Sequence, residues 1–161
     1  MCSVAPIRFS PSVSLHSECP LCGFPLLCSS ANLELPDAKR LNELVTHQRQ
    51  IKRGSLLHHA GEKLGSLYVV RTGFMKTILA RDNGNEQVTG FSMTGDLIGL
   101  DAIETGKHLC NTVALEDSTV CGMRYVDFEV LGHAVPALQH HFYRLMSAEI
   151  ARDKELMFLL G

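Results

Sequence analysis

The apolar positions of this chain change rhythm twice. Between Ile51 and Met123 they come in short runs: Leu56-Leu57, Leu67 to Val70, Phe74 to Leu79, Val88 to Phe91, Leu97-Ile98, Thr112 to Leu115 and Thr119 to Met123. Glycines such as Gly54, Gly61, Gly73, Gly95 and Gly106 cut these runs apart. Short strands at such regular spacing predict a sandwich or jelly-roll barrel. Asp82-Asn83-Gly84-Asn85 predicts a tight hairpin turn, because Asn-Gly accepts positive φ at low cost. Outside this region the period is helical. Pro36-Asp37 predicts a short helix to about His47, with Asp37 as its cap and Leu41, Leu44 and Val45 on one face. Asp127 to Gly132 predicts a helical turn. Pro136 then opens a long helix to about Leu160 with no internal Gly or Pro. The fold class expected is mainly β with flanking helices.

The long helix carries two stripes. Leu138, Phe142 and Leu145 suit packing on the barrel. Met146, Ile150, Asp153, Met157 and Leu160 follow heptad-like steps, which predicts pairing between two subunits. The simpler alternative is one amphipathic helix lying on its own barrel, for which a single stripe suffices. Asp153 is the odd member. A carboxylate facing its twin across a seam meets desolvation and like-charge repulsion together. Such a seam is weak, and a modest change elsewhere can tip it. Alternatively, Asp153 pairs with Arg152 or Lys154 across the seam, or turns to water.

With 161 residues, 45% of them hydrophobic, the chain is long enough for one cored domain plus an appendage. A net charge of −2 gives no basic field to attract nucleic acid or anionic membranes. No apolar run approaches the roughly 18–20 residues of a membrane span. Met1 to Ser14 holds one Arg and no apolar core segment, so it does not read as a signal peptide. The six cysteines therefore point to metal or redox chemistry rather than to disulfides. Cys19, Cys22 and Cys28 stand at C-x2-C-x5-C spacing, and Cys121 is a fourth candidate far downstream. Pro20 and Pro25 stiffen that loop and Gly23 permits a reversal. Zinc and an iron–sulfur cluster both fit such a donor set.

Little else in the chain suggests chemistry. Cys2 and Cys110 read as unpaired thiols. The eight histidines are scattered, and the adjacent pairs His58-His59 and His140-His141 place their rings on different faces. His16, just before Cys19, reads as a solvated loop residue. Asp96, Asp101 and Glu104 show no acid–base arrangement, and no nucleophile elbow is present. The chain does not read as an enzyme.

Four stretches carry a family resemblance: Gly61 to Gly73 (GEKLGSLYVVRTG), Glu86 to Phe91 (EQVTGF), Gly95 to Gly99 (GDLIG) and Arg144 to Ser147 (RLMS). Together with the cysteine loop and Val120-Cys121, they resemble the fumarate and nitrate reduction regulators, an oxygen-sensing branch of the cyclic AMP receptor superfamily. The resemblance runs from Cys19 to Leu160. It implies a cyclic-nucleotide-binding-like β-roll (a double-stranded β-helix, or jelly-roll) followed by a long dimerisation helix. It also implies a C-terminal helix-turn-helix domain that this chain lacks, so that DNA would be bound only by a longer protein. Under it, Cys19, Cys22, Cys28 and Cys121 hold one [4Fe-4S] cluster, with Zn2+ as the alternative occupant. Oxygen converts that cluster, the homodimer dissociates, and DNA binding is lost. Ile150 and Asp153 match helix positions that couple cluster state to dimerisation. Asp82, Asn83, Gly84, Asn85, Glu86 and Gln87 match a surface that touches RNA polymerase.

Gly106 to Asn111 departs from the nucleotide-binding branch, since it offers Lys107 but no Arg for a phosphate. No cyclic nucleotide is therefore expected. The division implied is a leader at 1–18, a cluster loop at 19–35, the β-roll at 36–135 and the dimerisation helix at 136–161. The apolar end at Leu159-Leu160-Gly161 reads as that of a fragment, and the setting implied is cytoplasmic. Two other readings stand beside this one, a zinc-stapled β-roll interaction module and a cyclic-nucleotide-binding module.

Overall fold

The computed structural model of the chain describes residues 33–161. Helix α1 (Leu35–Leu44) leads into strands β1 (Val45–Ile51), β2 (Leu56–His58), β3 (Ser66–Thr72), β4 (Phe74–Ala80), β5 (Glu86–Met93) and β6 (Leu97–Ile98). A 3-10 turn (Leu100–Ala102), β7 (Asn111–Ala114) and β8 (Ser118–Arg124) follow, then α2 (Tyr125–Ala134) and the long α3 (Pro136–Leu160). Two four-stranded sheets form, in the orders β1-β8-β3-β6 and β2-β7-β4-β5, with every pairing antiparallel.

One apolar cluster, built on Ile51, Leu57, Val70, Met75, Ile98, Ala114 and Val120, draws on strands of both sheets. A second unites the other face of the first sheet with the helices. There Leu67, Val69, Cys121 and Met123 meet Leu41, Phe128, Leu131, Leu138 and Phe142. Strands β3 and β8 are thus buried on both faces. That is why Leu67 to Val70 and Val120 to Met123 read as nearly continuous apolar runs rather than alternating ones. In β4 a register shift between Thr77 and Ile78 lets Met75 and Ile78 both turn inward.

Every strand expected from the sequence is present, and the Asp82 to Asn85 turn joins β4 to β5 with Gly84 at φ +79°. Two expectations need correction. The first helix ends at Leu44, because Val45 to Ile51 pair with β8 instead. And Asp37 is not its cap: the helix starts from Glu34 with no side-chain cap bond, while Asp37 sits in the first turn 3.6 Å from Arg40. Pro36, whose missing N–H is harmless in that turn, sets the start.

Candidate functional site

Of the four cysteines expected to hold the cluster, Cys121 alone is among the described residues; Cys19, Cys22 and Cys28 lie outside them, as does the leader. Its strand is held between β1 and β3, where it stands opposite Gln48 and Val69. The residue is 3% exposed, on the sheet face that packs against the helices. A soft sulfur donor on a central strand, clamped from both sides, suits a ligand that must not move. Leu33, where the described chain begins, packs on the same cluster. So do Phe142, Leu145 and Met146 at the root of the long helix.

From Met146 the second stripe runs outward. Met146, Ile150, Asp153, Met157 and Leu160 all border a cavity of about 510 Å3 between the roll and α3, whose other wall includes Thr89, Leu97, Asp101, Cys110 and Thr112. Ile150, Met157 and Leu160 are 55%, 67% and 60% exposed, so most of this stripe is uncovered within one chain. Burial pushes the Asp153 carboxyl above its ordinary value, with Arg152 opposing. Arg152 itself reaches back to Asp96 of the β5–β6 turn at 3.1 Å, which ties the helix to the roll. The Asp82 to Gln87 tip is exposed throughout.

Three residues far apart in sequence come together beside the cavity, which Asp101 borders. His58 ends β2, Asp101 lies on the 3-10 turn, and His108 precedes β7. One ligand atom from each lies within 4.8 Å of the others. The two imidazoles stack, with centroids 3.6 Å apart and planes 14° from parallel. Asp101 Oδ1 faces His108 Nδ1 at 3.2 Å, and its Oδ2 accepts the backbone N–H of Leu109 and of Cys110 at 2.8 and 3.3 Å. Burial opposes ionisation of Asp101, yet the His108 and Leu109 hydrogen bonds outweigh it and hold the carboxyl below its usual range. No local pattern in the chain announces this trio. His58 faces Thr112 across the β2–β7 ladder, 54 positions away. The adjacent-pair expectation does hold, since His58 and His141 are buried while His59 and His140 are exposed.

Burial, and then the His108 ring, bring the His58 imidazole down to about 4 from its ordinary 6.5. The unfolded chain takes up a proton at His58 near pH 6.5, whereas the folded chain does so only near 4. Stability is therefore full above the upper value and falls as pH drops through that window. The loss amounts to roughly 3 kcal/mol. Urea midpoints measured in chelator should fall steeply from pH 6.5 to 4 in the native chain. In His58→Phe that slope should flatten, on a baseline lowered by about 1 kcal/mol for the stranded Thr112 hydroxyl. An equal slope in both proteins rejects this assignment.

Residues 48–133 match the cyclic nucleotide-binding domain family. The chain is 37% identical over 155 residues to the fumarate nitrate reduction regulatory protein of Klebsiella oxytoca, covering 96% of this chain and 62% of that protein. It is 35% identical over 146 residues to the transcriptional activator protein Anr of Pseudomonas protegens, covering 91% and 60%. The chain thus spans about three fifths of the length of these relatives. Among solved structures, a cyclic nucleotide-binding domain from Methylobacillus flagellatus superposes with a TM-score of 0.72 at 15% identity, over 86% of this chain and 83% of that one. That likeness concerns the fold. No helix among the described residues is long and apolar enough to cross a membrane.

Proposed function

The chain belongs to the cyclic nucleotide-binding domain family, within the superfamily of the cyclic AMP receptor and the fumarate and nitrate reduction regulators, and we propose that it is the oxygen-sensing part of a cytoplasmic transcription regulator. In this reading Cys19, Cys22, Cys28 and Cys121 hold a [4Fe-4S] cluster, and Met146, Ile150, Asp153, Met157 and Leu160 form the seam of a homodimer. DNA is bound by the longer protein, and the Asp82 to Gln87 tip is its contact with RNA polymerase. When bound, the cluster supplies chemistry that oxygen can destroy.

The observation that carries this reading is a shared cluster of side chains. Cys121 and, from α3, Leu138 and Phe142 belong to one packed apolar group, and Met146, the first residue of the seam, packs against that group. Close-packed interiors transmit small displacements. A ligand pulling on Cys121 therefore bears on Phe142 and Met146, and through them on the pitch of the helix beyond. Leu33 lies five positions after Cys28, a span of at most about 18 Å of chain, so the distance to be bridged to the Cys121 face is short.

Anaerobic absorbance spectroscopy followed by air exposure, with sedimentation at each stage, tests the whole. A coloured dimer that bleaches and dissociates in air supports it. A colourless, zinc-bearing sample of unchanged size rejects it in favour of a zinc staple. The seam has its own test. Asp153→Ala removes the like-charge and desolvation burden, so without any metal its association should tighten tenfold or more, about 1.4 kcal/mol. Sedimentation velocity measures this, and a variant as monomeric as the native apo chain contradicts the role given to Asp153.

A further inference from the structure

We propose that His58, Asp101 and His108 form a binding site for a single divalent transition-metal ion of the zinc class, separate from the four-cysteine site. Two imidazoles and a carboxylate are the donor set that borderline divalent ions select, leaving one or more coordination positions open. Here one atom from each residue lies within 4.8 Å of the other two.

The backbone around the trio is already fixed. His108 receives the Gly61 N–H on its carbonyl at 2.7 Å and donates its own N–H to the Glu62 carbonyl at 2.9 Å. Asp101 is held through Oδ2 by the Leu109 and Cys110 amides, which aims Oδ1 at the histidines. His58 is oriented through Nε2, which lies 3.1 Å from Thr112 Oγ1. Metal-binding histidines are oriented in this way, one ring nitrogen held by a neighbour and the other left for the ion.

The other nitrogen is the decisive observation. His58 Nδ1 is buried and has no hydrogen-bond partner, and its residue is 3% exposed. A purely structural histidine would leave that atom unsatisfied, which costs about 1–3 kcal/mol whichever tautomer it adopts. A cation bound at Nδ1 would supply the missing partner. The stacked rings hold their lone pairs in nearly parallel planes 3.6 Å apart at the centroids, so an ion bound by both must spread the pair. Asp101 and Thr112 border the cavity, which provides room on that side.

The test uses the full chain with Cys19, Cys22 and Cys28 replaced by alanine, so that thiols do not compete, titrated with Zn2+ and with Co2+. One equivalent should bind. The cobalt complex should show d–d absorption without thiolate charge-transfer bands. The ring-nitrogen resonances of His58 and His108 should shift on zinc addition, a readout that needs no further variant. Thr112→Val, close in shape and already in a strand, should weaken binding about 10–100-fold by releasing His58. His108→Gln should weaken it at least as much. No uptake overturns the proposal, as does uptake that leaves both rings unshifted or that Thr112→Val and His108→Gln do not alter. Success or failure here leaves the four-cysteine reading untouched, because the three N-terminal thiols are absent from the protein tested.

Discussion

Cys121→Ala should abolish iron and acid-labile sulfide binding while lowering the stability of the metal-free chain by only about 1 kcal/mol. The stability side follows from size. The thiol occupies one heavy atom's volume in an apolar cluster, and its removal leaves a void that Leu41, Val69 and Met123 can partly close. The binding side follows from count and position, since one of four proposed thiolates disappears and it is the one fixed to the sheet. A buried cysteine that merely packs would show the first effect without the second. Cys110→Ala is the matched control. That thiol is raised by burial, with a Thr89 hydrogen bond opposing and Asp101 and Asp153 adding to the rise. A thiol held protonated is a poor ligand, and Cys110 borders the cavity instead of the Cys121 cluster. Anaerobic iron and sulfide assays on the two variants decide the matter. Iron retained in Cys121→Ala, or lost equally in both, overturns the assignment.

The β-roll was legible because its signals are local. Short apolar runs, the Asn83-Gly84 turn and Pro136 each declare themselves within a few residues. Strand β1 was not legible for the opposite reason. Thr46 to Gln50 is a polar run, with residues 47–50 exposed, and only pairing with β8 makes it a strand. The same pairing cut the first helix short. The histidine–aspartate trio depends on three separate elements meeting, and neither His58 nor Asp101 carries a local mark of it. By contrast, the outward stripe of α3 could be read directly from its period, because a helix states its faces in sequence whether or not they are covered. The spacing of Cys19, Cys22 and Cys28 was equally plain, but those residues lie outside the described region. Those three of the four proposed ligands therefore rest on sequence and family.

Among the described glycines, Gly73→Ala should be the most destabilising change, at about 3–5 kcal/mol. Gly73 is the one residue between β3 and β4, where the chain passes from one sheet to the other, and it sits at φ +102°. A side chain there carries the left-handed penalty of about 1–2 kcal/mol. The added Cβ would also overlap Ser118 Oγ and stand 2.6 Å from both Ser118 Cα and Cβ. Ser118 cannot swing away cheaply, since it opens β8, is buried, and donates its hydroxyl to the Glu116 carbonyl at 2.8 Å. Gly84→Ala separates the two contributions, because Gly84 has φ +79° but nothing within 4 Å of the new methyl. It should cost about 1 kcal/mol. Urea denaturation of both variants gives the difference, and a Gly73→Ala no worse than Gly84→Ala would remove the steric argument. The consequence reaches the proposed centre. Ser118 lies three positions before Cys121 on the same strand, and β3 supplies Val69 opposite that thiol. Pushing the start of β8 off Gly73 disturbs the pairing that fixes Cys121, so Gly73→Ala should lose iron even at temperatures where it stays folded, whereas Gly84→Ala should keep it.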